Sequence, residues 1–157
     1  MADFLGYFIK ATKTGKTFPN KYIDYESYVC TPNQREEIKA YREDNSRDLY
    51  RITADGMKTK ITFTLRGNLH KKDKEAILAF FTDAEAKASD PATAKKQRKV
   101  ELTYWNDEDD KYETGFFYRP NMDFNVKQIK PTKKKTSSGD IIYDIIYKDM
   151  SMELIEY

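Results

Sequence analysis

The chain offers one histidine, His70, and one cysteine, Cys30, as side chains able to do acid–base or nucleophilic chemistry near neutral pH. His70 stands between Leu69 and Lys71, where a helical pattern begins. A general base is conceivable there, and so is a plain polar capping role. Cys30 would need a base to draw off its proton, and His70 is the one imidazole available. No paired arrangement of nucleophile, base and orienting group emerges. The residues therefore predict no enzyme, no catalytic residue and no cofactor.

Two further clusters suggest binding chemistry. Asp107, Glu108, Asp109 and Asp110 could present oxygen to a cation, but they lack the alternating ligands and central glycine of a calcium loop. A solvated hairpin tip is the expectation, with no metal site. Gly15-Lys16-Thr17 has the last letters of a phosphate-binding loop, without the earlier glycine or the following helix. Lysines gather twice, at Lys95, Lys96, Arg98 and Lys99 and again at Lys127, Lys130, Lys133, Lys134 and Lys135. They could meet phosphates or an acidic surface on a neighbouring subunit, or simply stay solvated. Neither run is interleaved with the aromatics that stack nucleic-acid bases.

Composition narrows the class. There are 157 residues, enough for a single domain with a real core. Net charge is only +2, which argues against a dedicated nucleic-acid binder. Twelve Tyr, nine Phe and one Trp make 14% of the chain aromatic, a composition suited to strands and wet interfaces. One cysteine allows no disulfide within the chain and fits a reducing cytosol. No apolar run approaches the roughly 20 residues of a membrane span, and Phe4–Ile9 is too short a patch for a signal peptide.

Periodicity gives the elements that would carry these residues. Strands are predicted over 4–11 and 22–30, while 32–44 fits a helix or a strand. Glu43–Ser46 has turn residues. Asp55-Gly56 marks a hairpin between 48–54 and 57–66. Lys71–Lys87 is the one clear helix, with Ala76, Ile77, Phe80, Phe81 and Ala84 on a stripe, ended by Ser89-Asp90-Pro91. Thr93–Lys99 reads as a basic connector. Strands at 100–105 and 112–118 flank the acidic tip, and a shorter one spans 124–130. Residues 131–140 read as a mobile loop. Ile141–Tyr147 and Met150–Tyr157 are apolar on both faces, as expected of strands covered twice. The order predicts a mainly β chain with one α-helix, an antiparallel β-sandwich or partly closed β-barrel with the helix packed on it.

Two segments resemble a known family. One runs from Tyr41-Arg42-Glu43-Asp44-Asn45 through Leu49, Arg51 and Gly56 to Lys60-Ile61-Thr62-Phe63. The other joins Val100, Tyr104-Trp105-Asn106-Asp107 and Tyr112-Glu113-Thr114-Gly115-Phe116-Phe117-Tyr118-Arg119-Pro120, with Met152-Glu153-Leu154-Ile155-Glu156-Tyr157 closing the chain. Together, over about Pro32 to Tyr157, these are similar to small siphophage and prophage tail proteins of Gram-positive bacteria, the distal-tail and tail-tube-like proteins. The resemblance implies one tail-tube-like domain over 1–157, with 1–30 as N-terminal strands or an arm. It implies a structural virion protein, a homo-oligomeric ring of six around a channel, with neighbouring tail proteins as partners and passive DNA passage through it. The place would be the virion tail, assembled in the host cytoplasm with no membrane involved. Distal ring (baseplate), tube ring and completion ring all stay open. The competing reading is a non-enzymatic host-surface or carbohydrate-binding module using exposed Tyr and Trp105. For a ring, the expected subunit contacts are Tyr147, Ile155 and Tyr157, with Lys133, Lys134 and Lys135 beside them.

Overall fold

The computed structural model describes residues 2–34, 37–42, 49–53, 58–85 and 98–157, and for 33–34, 37–42 and 49–53 the backbone alone. The described strands are β1 (Ile9–Ala11), β2 (Val29–Gln34), β3 (Glu37–Arg42), β4 (Leu49–Thr53), β5 (Lys58–Leu65) and β6 (Leu69–His70). The helix α1 (Lys71–Asp83) follows, then β7 (Lys99–Asn106), β8 (Lys111–Tyr118), β9 (Val126–Lys135), β10 (Ile141–Tyr147) and β11 (Met150–Glu156). All pairings are antiparallel. They build a six-stranded sheet β1-β7-β8-β11-β5-β2, a three-stranded sheet β6-β10-β9 and the pair β3-β4. The chain is thus mainly β, sandwich-like, with one packed helix. The large sheet stays open rather than closing into a barrel.

Alternation places the core. In β5, Ile61, Phe63 and Leu65 point inward while Lys60, Thr62 and Thr64 point out. Val100, Leu102 and Tyr104 of β7, Phe117 of β8 and Met152 and Leu154 of β11 join the same buried face. The helix covers it with Ile77, Phe80 and Phe81. Phe18 wedges between the layers, its ring 6.0 Å from Phe63, 5.1 Å from Phe80 and 5.9 Å from Phe81. Helix and sheet are thereby locked through aromatic edges.

The N-terminal region departs from the expected strands. Strand 4–11 shrinks to Ile9–Ala11, and 22–30 is replaced by 3-10 turns at Asn20–Tyr22 and Tyr25–Ser27 before β2 begins. The local cause is Asp24, whose side chain accepts the Glu26 N–H at 3.3 Å and holds a turn in place of a ladder. Nor is this region an arm: Ile9, Ala11, Phe18, Tyr22, Ile23 and Tyr28 are buried in the common core.

The described parts of residues 32–44 are strand. The expected hairpin of 48–54 with 57–66 is corrected: β4 pairs with β3 and β5 pairs with β2 and β11. Arg42 faces Leu49, and the turn residues Glu43–Ser46 lie between them in the sequence. Those residues and Asp55-Gly56 lie outside the described ones, as do Ser89-Asp90-Pro91 and residues 93–97 of the basic connector. The helix ends at Asp83, with Ala84 capping it through its N–H to the Phe80 carbonyl.

The late lysines are also placed differently. Residues 131–135 belong to β9, and the loop is confined to Thr136–Asp140. Thr136 donates to the Asp140 carbonyl at 2.8 Å, and Gly139 takes the positive φ (+91) that tightens the turn. Pro131 is tolerated because β9 is an edge strand, where a missing N–H breaks no second ladder. Lysine on such an edge also discourages indiscriminate pairing.

Candidate assembly surfaces

Registers fix which residues share the outward face of the large sheet. Lys99 faces Tyr118, Glu101 faces Phe116, and Ile155 faces both Tyr118 and Lys60. The Tyr157 N–H continues the ladder to the Phe116 carbonyl at 2.9 Å. Phe116, Tyr118, Ile155 and Tyr157 therefore form one apolar corner, each 41–44% exposed. Lys99 lies over it, its Nζ 4.8 Å from the Phe116 ring and 5.0 Å from the Tyr157 ring. Lys58 Nζ donates to the Tyr157 main-chain oxygen, and Lys60 pairs with Glu153 at 3.3 Å. The corner is thus an apolar centre with lysines along its edge.

Of the expected contacts, Ile155 and Tyr157 lie in this corner. Tyr147 does not: it is 3% exposed, with its ring 5.5 Å from Phe124 and under Lys74 Nζ. Burial in β10 does not alternate but rises along the strand: Ile141, Ile142 and Tyr143 at the far end are exposed, and Ile146 and Tyr147 at the base are buried. Lys133, Lys134 and Lys135 are exposed on β9, away from the corner. Phe116 and Tyr118, which share this corner, were not among the expected contacts. Their signal was present, because Phe117 between them can face the core only if both of them face out.

The acidic tip is a self-satisfied turn. Asn106, fully buried, donates to Asp109 Oδ2 at 3.0 Å and Glu113 Oε2 at 3.2 Å, and accepts the N–H groups of Glu108 and Asp109 at 3.1 and 3.2 Å. Burial pushes the Glu113 carboxyl up, but hydrogen bonds from Lys111, Asn106 and Tyr104 outweigh it and hold the group below the usual range. Among the described residues no cluster of His, Cys, Asp or Glu could hold a metal. Trp105, the lead residue of a carbohydrate-binding reading, is 5% exposed. Its Nε1 donates to Asp107 Oδ1 at 2.5 Å, and Phe4 and Tyr112 pack on its ring at 5.2 and 5.0 Å. It has no free face to stack on a sugar.

The two candidates for reactive chemistry are held otherwise. Burial, followed by the carboxylates of the acidic tip and Glu113, pushes the Cys30 thiol up to about 12. His70 precedes α1, where its N–H donates to Asp73 Oδ2 at 3.0 Å, while Nδ1 meets Asp144 Oδ2 at 2.5 Å. The hydrogen bond with His70 leads the causes that hold Asp144 below its ordinary value. An open cleft of about 630 Å³ lies near Asp24, Arg66, Asn68, Lys127 and Asp149. Two of the three cations that line it are engaged, Arg66 Nε with the Ile23 carbonyl and Lys127 with Asn68; Lys148 is the third.

No curated protein matches the sequence. Among solved structures, a chain from the tail of an empty GTA particle, computed with helical refinement and C6 symmetry, aligns over 100% of this chain and 95% of its own length. The identity is 11% and the TM-score 0.43, too distant a likeness to carry fold or function across. A family match spans the whole of residues 1–157, and on it the chain belongs to the family of unknown function DUF6711.

Proposed function

We propose that this protein is a structural subunit of a bacteriophage tail that assembles with copies of itself into a ring. The observation that carries the reading is the apolar corner of Phe116, Tyr118 and Ile155, three large side chains that share one outward sheet face and are each more than 40% exposed. Large aromatics at such a patch supply most of an interface's energy once buried. In a ring, the corner of each subunit meets a different patch on the next, and the contact closes when the rotation divides the circle. The resemblance of Tyr112–Pro120 and Met152–Tyr157 to small tail proteins favours a hexamer. It favours a distal-tail ring or tube ring in the virion, built in the host cytoplasm beside other tail proteins, with DNA passing through the channel.

The test is the mass of the purified protein against concentration, together with its presence in purified particles. A Tyr118→Asp, Ile155→Asp double variant should stay folded by circular dichroism and lose assembly. The reading fails if the parent remains monomeric at high concentration, or if the double variant keeps the parent's oligomeric mass.

A further inference from the structure

The β9–β10 hairpin is built for a partner. Outside its base, where Ile146 and Tyr147 pair with β6, it is a two-stranded ribbon exposed on both faces. Such a ribbon is marginal in water on its own. Ile129 is 60% exposed and Tyr143 51%, and the pairing of Ile145 with Ile129 and of Tyr143 with Pro131 sets them on one face. Residues 126–140 carry five lysines and one aspartate. Among the described residues, no carboxylate pairs with Lys133, Lys134 or Lys135.

The same chain carries the complementary surface at its other end. Residues 106–113 hold five carboxylates and one lysine. Beside them lie exposed Phe4 and Leu5, the latter 68% exposed. They are fixed there by the Ala2 N–H to the Asp110 carbonyl and the Leu5 N–H to Tyr112 Oη, both at 3.0 Å. Registers show that the two ends are opposite. β8 leaves the acidic turn at Lys111 and reaches Tyr118 beside Ile155. β11 and β5 extend beyond that point to the Met150–Leu65 pair, next to Asn68 and Tyr147, where the ribbon is rooted.

We infer that copies of this chain associate head to tail, the ribbon of one seated on the acidic turn and the Phe4–Leu5 patch of the next. This rests on the self-assembling reading above and names a second contact, distinct from the Tyr118–Ile155 corner. Apolar side chains meet apolar side chains and lysines meet carboxylates, which sets direction and register as well as attraction. One face differs from the other, so the contact is heterologous and propagates around a ring or along a stack.

The test is a charge exchange on the full chain. Lys133→Glu with Lys135→Glu makes one variant, and Glu108→Lys with Asp110→Asn the other. These side chains make no bond to the core, so both variants should melt as the parent does. Each alone should associate at least tenfold more weakly by sedimentation, and an equimolar mixture should regain the contact. If the parent assembles and both variants assemble equally well, this inference falls while the ring reading stands. If the parent is monomeric, both fall. The inference also falls if the lysine variant loses binding to duplex DNA and the mixture restores no self-association, because the lysines then face phosphates.

Discussion

His70 and Asp144 meet across 74 residues of sequence, Nδ1 to Oδ2 at 2.5 Å, and so tie the start of α1 to β10 at the root of the lysine ribbon. The Asp144 carboxyl is held below its ordinary value, first by this bond. A carboxyl depressed in the folded chain stabilises the fold at pH above its unfolded value of about 3.9. That contribution fades as pH falls through the lower folded value. Carboxyl NMR should therefore find Asp144 titrating below an ordinary aspartate, and His70→Ala should bring it back toward that range. An unchanged midpoint in the variant would show that the bond does not set it.

Asn106→Ala should be costly for a turn residue. The side chain is fully buried and serves two acceptors and two N–H donors. Leaving such groups unsatisfied costs about 1–3 kcal/mol. Denaturant unfolding should show that loss, with the Glu113 carboxyl rising as one of its donors disappears. A variant as stable as the parent would mean that water replaces the amide at no cost.

Phe81→Ala tests the helix–sheet contact. The ring is fully buried, 5.2 Å from Phe80 and 5.9 Å from Phe18. Truncating a buried phenylalanine costs about 3–5 kcal/mol. A loss under about 1 kcal/mol would indicate that the layers collapse to refill the space.

The legible parts of the sequence are those where periodicity and burial agree. Ile61, Phe63 and Leu65 alternate cleanly, and Ile77, Phe80 and Phe81 share one helical stripe, so β5 and α1 were readable. Asp55-Gly56 misled because a local turn signal says nothing about partners: β4 and β5 each found their ladder with other strands. Residues 131–135 looked like a loop because Pro and a run of Lys are poor strand formers. Pairing to Ile141–Tyr147 overrides that preference on an edge. The corner was half legible. Ile155 and Tyr157 showed through a two-faced strand, but Tyr147 belongs to the interior because the bulge between Ile146 and Tyr147 turns its ring onto Phe124. No composition rule foretells that bulge.

The ribbon itself gives the last prediction. A strand pair exposed on both faces, with Ile129 and Tyr143 uncovered, opens locally at little cost compared with the core. Trypsin should cut the free subunit after Lys133, Lys134 or Lys135. Lys130 should resist, because Pro131 follows it and prolyl bonds are poor substrates. Once subunits assemble and the ribbon is covered, the rate at the same three bonds should drop at least tenfold. Because the same bonds are compared in both states, cleavage elsewhere in the chain does not affect the result. Equal rates before and after assembly would show that the ribbon stays uncovered, and would remove β9 and β10 from the contact.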